Sequence, residues 1–426
     1  MKLQVGYIEI KDIAFDKNAG VRGGTLFINP DEVKAVVLSD ERIRSVELDL
    51  AKPGEEVRIT PVKDVIEPRV KVSGGGGMFP GVIADVHMVG SGVTHVLRGA
   101  AVVTTGAIVG FQEGIIDMSG LGAEYTPFSK TQNLVLNFTP VDGLTPHEYE
   151  QTLRLAGLRV ACAIGELGKD VTPDEVVEYE TLPLLTAKET YPDLPRVGYV
   201  QMLQSQGLLH DTYVYGVDMK QSISTLINPT EIMDGAIISG NCVSACDKNT
   251  TYHHQNNPVI HDLFAEHGKS LVFAGMIITN ENVYLADKIR SSDWTQKLCT
   301  MLEFDGVIIS QEGFGNPDTD LIMNCKKVEG AGIPTVIITD EYAGRDGTSQ
   351  SLADADPSAN AVVTGGNANQ VITLPKMAKV IGSLEHVDRI AGGFDNNVNP
   401  DGSITVEIQA IIGATNELGF NKMSAR

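Results

Sequence analysis

The sequence predicts an α/β protein with a β-rich N-terminal region followed by α/β layers with mainly parallel sheets. Three observations carry that reading. Up to about residue 140, short alternating apolar runs are broken by glycine, a pattern of strands rather than helices. From Arg196 onward, apolar runs alternate with helical patterns, as the buried strands of parallel sheets do. The chain has 426 residues and 42% hydrophobic content, enough for two or three cores.

In the first region, Leu3 to Ile10, Ser45 to Leu50, Val57 to Thr60 and Pro68 to Val72 read as strands. The consecutive glycines within Ser73 to Gly81 mark a loop. Residues 1–145 thus form a β-rich N-terminal domain. A helix is expected from about Pro146 to Leu167, where Leu153, Leu155, Leu158, Val160 and Ala163 make an apolar face. It opens a helical and charged connecting segment over 146–195. Residues 196–426 make up the α/β part, with strands expected at Val197 to Leu203, Gly235 to Ser239, Leu271 to Thr279, Gly306 to Ser310, Thr335 to Thr339 and Ala361 to Thr364.

Composition excludes several classes of partner. Fifty-five acidic against 33 basic residues give a formal charge of −22, a field that repels nucleic acid and anionic lipid. No apolar run reaches the roughly 18–20 residues of a spanning helix, and Met1-Lys2-Leu3-Gln4-Val5 lacks the blocks of a signal peptide. A cytoplasmic protein without membrane insertion is expected. The cysteines at 162, 242, 246, 299 and 325 are too irregular for a disulfide framework and fit a reducing compartment. The spacing of Cys242 and Cys246 matches neither a zinc knuckle nor a CxxC turn, so no metal site is expected.

Three predicted strands end in polar, glycine-bearing loops, Ser310 to Asn316, Thr339 to Arg345 and Thr364 to Asn367. Ligands of open α/β sheets bind beyond such strand ends, so these loops form one candidate rim. Asn316 is expected to cap a helix with Pro317 in its first turn, Asp318 and Asp320 near its positive end and Gly330 as its stop. Gly313, Gly315 and Asn316 are therefore candidates for holding a substrate carboxylate on exposed amides. Arg345 is a candidate to grip it in bidentate fashion, with Glu312 and Asp340 on the same rim.

The most informative stretch is Ile238-Ser239-Gly240-Asn241-Cys242-Val243-Ser244-Ala245-Cys246-Asp247. A strand here runs into a loop. Gly240 permits backbone conformations closed to other residues, and a cysteine on a strained turn can attack the carbonyl carbon before it. The acyl group then moves from nitrogen to sulfur and the main chain is cut. β-Elimination from that thioester leaves a dehydroalanine, whose tautomer hydrolyses to a pyruvoyl group, a carbonyl electrophile that no unmodified amino acid provides. The residue types at this position equally suit an ordinary buried thiol. Asn324-Cys325 repeats the dipeptide inside a helical pattern that offers no strained turn.

The segments 49–55, 61–69, 110–118, 207–213, 239–247, 310–320 and 413–422 resemble the precursor of the alpha and beta subunits of component B of the glycine, sarcosine and betaine reductases. A D-proline reductase subunit is a more distant relative. The resemblance implies cleavage between Asn241 and Cys242, with Cys242 becoming the pyruvoyl of a C-terminal fragment of 185 residues and Asn241 ending one of 241. It also implies an amino-acid substrate, glycine first, bound as an imine, with sarcosine, which forms an iminium directly, as one alternative and betaine, whose quaternary nitrogen forms neither, as the other. The implied partners are a selenocysteine-containing subunit of component B, a small selenoprotein A and an acetyl-phosphate-forming component C, in an oligomeric complex of anaerobic amino-acid fermentation. His210 and His253 are the candidates for proton transfer to and from the bound amine, His254 being weighed beside His253. Two other readings stand beside this one, an uncut substrate-binding or scaffold subunit and a thiol redox protein using Cys242 and Cys246.

Overall fold

A computed structural model of the chain describes residues 1–426 apart from 111, 208, 241–243, 421, 422 and 426. The strand-forming runs before residue 145 pair into two main sheets. One has the order Glu175–Glu180, Lys2–Glu9, Gly92–Arg98, Arg69–Ser73, and the other the order Gly114–Asp117, Val57–Ile66, Ala100–Gly106, Gln132–Pro140, Ile43–Ala51. The strand Val57–Ile66 is buried along its whole length although it carries Arg58, Lys63 and Asp64. Each charge finds its partner inside. Arg58 donates to both carboxylate oxygens of Asp117 at 2.6 and 2.7 Å, Lys63 to Glu113 at 2.9 Å, and Asp64 accepts from Thr251.

The helix Pro146–Glu166 starts in a capping box, with Thr145 and Glu148 each accepting from the other's backbone amide. Its apolar face, including Leu153, Ala156, Val160 and Ile164, joins Ile66, Val102, Leu134 and Leu136 in one core. Gly165 lies so close over the Arg69 carbonyl that any Cβ there would overlap it. The helix thus seats directly on the strand that carries Arg69.

Beyond residue 195 the chain builds a seven-stranded sheet in the order Thr225–Ile227, Val272–Asn280, Arg196–Leu203, Gly306–Ser310, Thr335–Glu341, Val362–Asn367, Ser424–Ala425. The five central strands run parallel and only the two edge strands are antiparallel. Period-two alternation then serves both faces. Val200, Met202 and Ile277 pack with Leu321, Cys325 and Val328 of the helix Asn316–Gly330, while Tyr199, Met276 and Ile278 pack with Ile260 and Leu263 of the helix Pro258–Glu266. The predicted fold class is the observed one. The connecting segment adds Glu175–Glu180 to the first sheet beside Lys2–Glu9, and the two parts are stitched together by the pairing of Lys379–Gly382 with Val57–Ile66.

Two expectations need correction. The run Gly235 to Ser239 is not a strand of the parallel sheet; only Ile237–Ile238 is extended, antiparallel to Tyr213–Val214. It is closed in at both ends, by the turn at Gly235 (φ 88°) and by the hydrogen bond that draws the Ser239 amide to Thr251. Asn316 is the first residue of its helix and not the cap, which is Gly315 at φ 78°, a conformation that favours glycine. Among the described residues, no helix is long and apolar enough to cross a membrane.

Removing one partner of a buried ion pair strands the other, at a cost of about 3–5 kcal/mol. Asp117→Ala, which orphans Arg58, is expected to lower stability by that amount, read in urea unfolding as a lower midpoint with an unchanged slope.

Candidate functional site

Each of four neighbouring parallel strands delivers a buried polar residue at or just past its carboxyl end. They are Gln204 after Arg196–Leu203, Glu281 after Val272–Asn280, Glu312 after Gly306–Ser310, and Asp340 near the end of Thr335–Glu341. Two further segments close over them, 244–250 with Cys246 and Asp247, and 413–418 with Thr415 and Glu417, and these four side chains are buried too. Hydrogen bonds tie the group together. The Gln204 amide N–H donates to Glu312 at 3.0 Å, and the side-chain amide, oriented to satisfy its neighbours, donates to Glu281 at 2.6 Å. Thr212 donates to Glu312 at 2.7 Å, Thr415 to Asp340 at 2.9 Å and Asn249 to Glu417 at 2.6 Å. The Cys246 sulfur lies 3.8 Å from Asp340 and 3.6 Å from the Tyr342 hydroxyl. Phe314 stacks flat on Tyr342, ring centroids 3.4 Å apart.

Several polar atoms in this interior lack a hydrogen-bond partner among the described residues. They are both carboxylate oxygens of Asp247, one oxygen each of Glu281 and Glu417, and both ring nitrogens of His254, whose Nε2 stands 3.8 Å from Glu312. Buried polar atoms are normally satisfied, so such a concentration marks a place built for something other than stability. Burial first, and the neighbouring acids second, push the carboxyls of Asp247 and Glu281 well above the usual carboxylate range. Burial does the same to Asp340, with Asp247 adding to it, and to Glu417, with Glu312 adding to it. The Cys246 thiol rises for the same reason, burial and then Asp247. Asp247, Glu281, Asp340, Glu417 and the Cys246 thiol therefore keep their protons to higher pH than exposed groups of their kind and can give them up. Among the described residues no group of three His, Cys, Asp or Glu is placed to hold a metal ion.

Asn241 and Cys242 lie outside the described residues, but the chain on both sides of them is fixed. Gly240 passes so close to the Asp211 carbonyl oxygen that any Cβ would overlap it. Before that, the Ser239 amide donates to Thr251 at 3.1 Å, and Thr251 donates to Asp64 at 2.7 Å. On the far side, Ser244 donates to Gln409 at 3.0 Å and Cys246 meets Asp340. Every described residue from 229 to 251 is buried.

The other predicted residues divide. Gly313 (φ 96°) sits between Glu312 and Phe314, both part of the cluster, and Gly315 turns the chain into the following helix. Asn316 points elsewhere, donating to Gln206 at 2.6 Å and to the Asn282 carbonyl. Arg345 is taken up by Glu407 at 2.6 Å and lies over the Phe394 ring. His253 is buried, but its Nδ1 takes part in capping its own helix through Thr250, and its ring packs edge-on against Phe128 and Phe420. Burial, then His254 and Lys248, hold it well below the ordinary imidazole range. His210 contacts Tyr213 at 2.9 Å and the His147 carbonyl at 3.1 Å, one residue from Asp211. Sequence reasoning missed Gln204, Glu281, Thr415 and Glu417. Gln204 carries a readable signal, a polar residue directly after an apolar run, and Glu281 follows its run by two residues; the last two carry none.

The model of the family described as glycine/sarcosine/betaine reductase component B subunits matches residues 1–426. The chain is 65% identical over 426 residues to the glycine reductase complex component B subunits alpha and beta of Peptoclostridium acidaminophilum, covering all of both chains. It is 64% identical over 428 residues to the protein of that name in Acetoanaerobium sticklandii, again covering all of both. To the sarcosine reductase complex component B subunit alpha of P. acidaminophilum it is 57% identical over 426 residues and the whole of both chains. No solved structure matches the chain.

A carboxyl held protonated in the fold stabilises it below the unfolded-state value, near pH 4, and that stability is lost as pH rises towards the raised folded value. Glu281→Gln removes the titration. The variant is expected to gain stability relative to the unsubstituted chain as pH is raised from 4.5 to 7.5, by up to about 1.4 kcal/mol per pH unit, measured by urea unfolding at both values.

Proposed function

The chain belongs to the family of glycine/sarcosine/betaine reductase component B subunits, and from that membership we propose that it is a self-processing precursor, cut between Asn241 and Cys242, whose C-terminal fragment activates an amino acid for reductive cleavage. Glycine is the proposed substrate and sarcosine the alternative. The observation that carries the reading is the pair of fixed, buried flanks around 241–243, with proton-bearing carboxyls beside the downstream one.

Cleavage needs a main chain held in place while sulfur attacks a carbonyl carbon. Gly240 against Asp211, and the Thr251–Asp64 pair holding Ser239, fix the upstream side. Asp247 and Asp340 lie near the downstream side as acids able to protonate a departing nitrogen. Atoms balance if the sulfur leaves with the Asn241 acyl group, to be lost as sulfide on hydrolysis, while a second water releases ammonia at residue 242.

A pyruvoyl group requires exclusion of water and donors for its carbonyl oxygen. The buried flanks meet the first need, and the unpartnered, protonated carboxyls together with His254 meet the second. Once formed, the group supplies an electrophilic carbonyl that draws electrons from a substrate nitrogen. The residues of this chain orient the amine and move its protons. His254, next to Glu312 and free of the capping duty that occupies His253, is the better placed histidine for that work. Reduction itself falls to the selenium-bearing partners, which take the carbon fragment on to acetyl phosphate. Burial that raises the Cys246 thiol leaves little thiolate there, which speaks against a redox couple with Cys242.

Intact-mass spectra of the purified protein test this reading. Two fragments of roughly 26 and 20 kDa are expected, the smaller blocked at its N-terminus and about two mass units heavier after borohydride. Cys242→Ala is expected to give one species of 45.6 kDa without acetyl-phosphate formation. A single species of that mass in active, unsubstituted material would leave an uncut binding subunit as the function.

A further inference from the structure

We propose that the acidic interior at the strand ends is the seat of a positively charged nitrogen, the protonated amine of a small amino acid, held by Asp247, Glu281, Glu312 and Glu417. The proposal rests on the amino-acid reductase reading above and adds how the substrate's charge is recognised. Two observations support it.

The first is the contrast with other buried charges in this chain. Arg58–Asp117, Lys63–Glu113, Arg69–Glu67 and Lys71–Asp234 are all closed ion pairs. None of the ion pairs of the described residues joins Asp247, Glu281, Glu312 or Glu417 to a lysine or arginine; the one cationic candidate is His254, 3.8 Å from Glu312. Without a countercharge, burial keeps Asp247, Glu281 and Glu417 on their protons; a cation entering among them favours the ionised form, so that protons are released to solvent as the carboxylates take it up.

The second is the set of vacant acceptors. Both oxygens of Asp247 and one each of Glu281 and Glu417 have no hydrogen-bond partner among the described residues, and neither has either ring nitrogen of His254, which is fully buried. An ammonium group brings up to three N–H donors that diverge from one nitrogen. That suits acceptors spread over separate segments.

The test uses a ligand pair that differs in charge alone and cannot condense with a carbonyl. N,N-Dimethylglycine has a protonated tertiary nitrogen, and 3-methylbutanoate has the same shape with carbon in its place. Calorimetry on the purified protein is expected to show N,N-dimethylglycine binding at least about tenfold tighter, one order of magnitude corresponding to about 1.4 kcal/mol. Glu281→Gln and Glu417→Gln are each expected to weaken it about tenfold and to leave 3-methylbutanoate unchanged. Equal affinities, or no binding of either, overturn the proposal, and that comparison needs no variant to fold. Mass spectra of the same sample keep the two readings apart. A charge preference in uncut protein defeats only the processing scheme, and its absence in cut, carbonyl-bearing protein defeats only the cation seat.

Discussion

The rest of the structure depends on the burial of one polar segment. The described residues of 229–257 pass between the N-terminal sheets and the seven-stranded sheet, and those of 229–251 are all buried. Such a path is possible only if its backbone and side chains are satisfied from both sides. On the N-terminal side, Asp64 accepts from the amide and hydroxyl of Thr251, the Glu67 backbone exchanges hydrogen bonds with the Gln255 side chain, and Arg69 donates to Gln255 and Asn256. On the other side, Ser244 holds Gln409, and Asn249 holds Glu417. Under the proposed processing, a cut after Asn241 breaks the chain without breaking this fold. The downstream fragment would stay bound to strands Val57–Ile66 and Arg69–Ser73 through the same bonds, and through the pairing of Lys379–Gly382 with Val57–Ile66.

This construction also sorts the buried charges. Where a charge serves architecture it is matched one for one, as at Arg58 and Asp117 or Lys288 and Asp320. At the strand ends the acids face one another instead. Glu281 feels Glu312, Asp320, Glu417 and Asp247, all raising it beyond the effect of burial. An arrangement that costs stability and persists beside well-paired charges is the kind expected where binding or chemistry sets the sequence.

Much of this was legible beforehand. Apolar runs located the central strands, and the polar residues that follow them marked the rim, so Glu312 and Asp340 could be named from the sequence. The helix from Pro146 followed from its periodicity, while its Thr145–Glu148 capping box came to light in the structure. Other features were not legible, for physical reasons. Glycine at φ 78° displaced Asn316 from the cap, because a left-handed residue can end the preceding loop without a capping side chain. Arg345 was claimed by Glu407, 62 residues away along the chain, a pairing that no local pattern announces. Glu417 and Thr415 reach the site only through the return of the C-terminal segment. His253 and His254 are adjacent in sequence, and only the fold distinguishes the one that caps a helix from the one that faces Glu312.

The chemistry of the family sharpens what such a site can and cannot discriminate. The amines in the relatives' names, glycine, sarcosine and betaine, share a positive nitrogen and differ in its methyl groups. A set of acceptors that attracts charge from several directions responds to all of them, since coulombic attraction has little angular preference. Selection among them must come from volume, because a methyl group needs space that an N–H does not. Beside the acids stands the stacked pair Phe314 and Tyr342, whose hydroxyl reaches Cys246. Charge would then admit the class of substrate, and the aromatic wall would set which member fits.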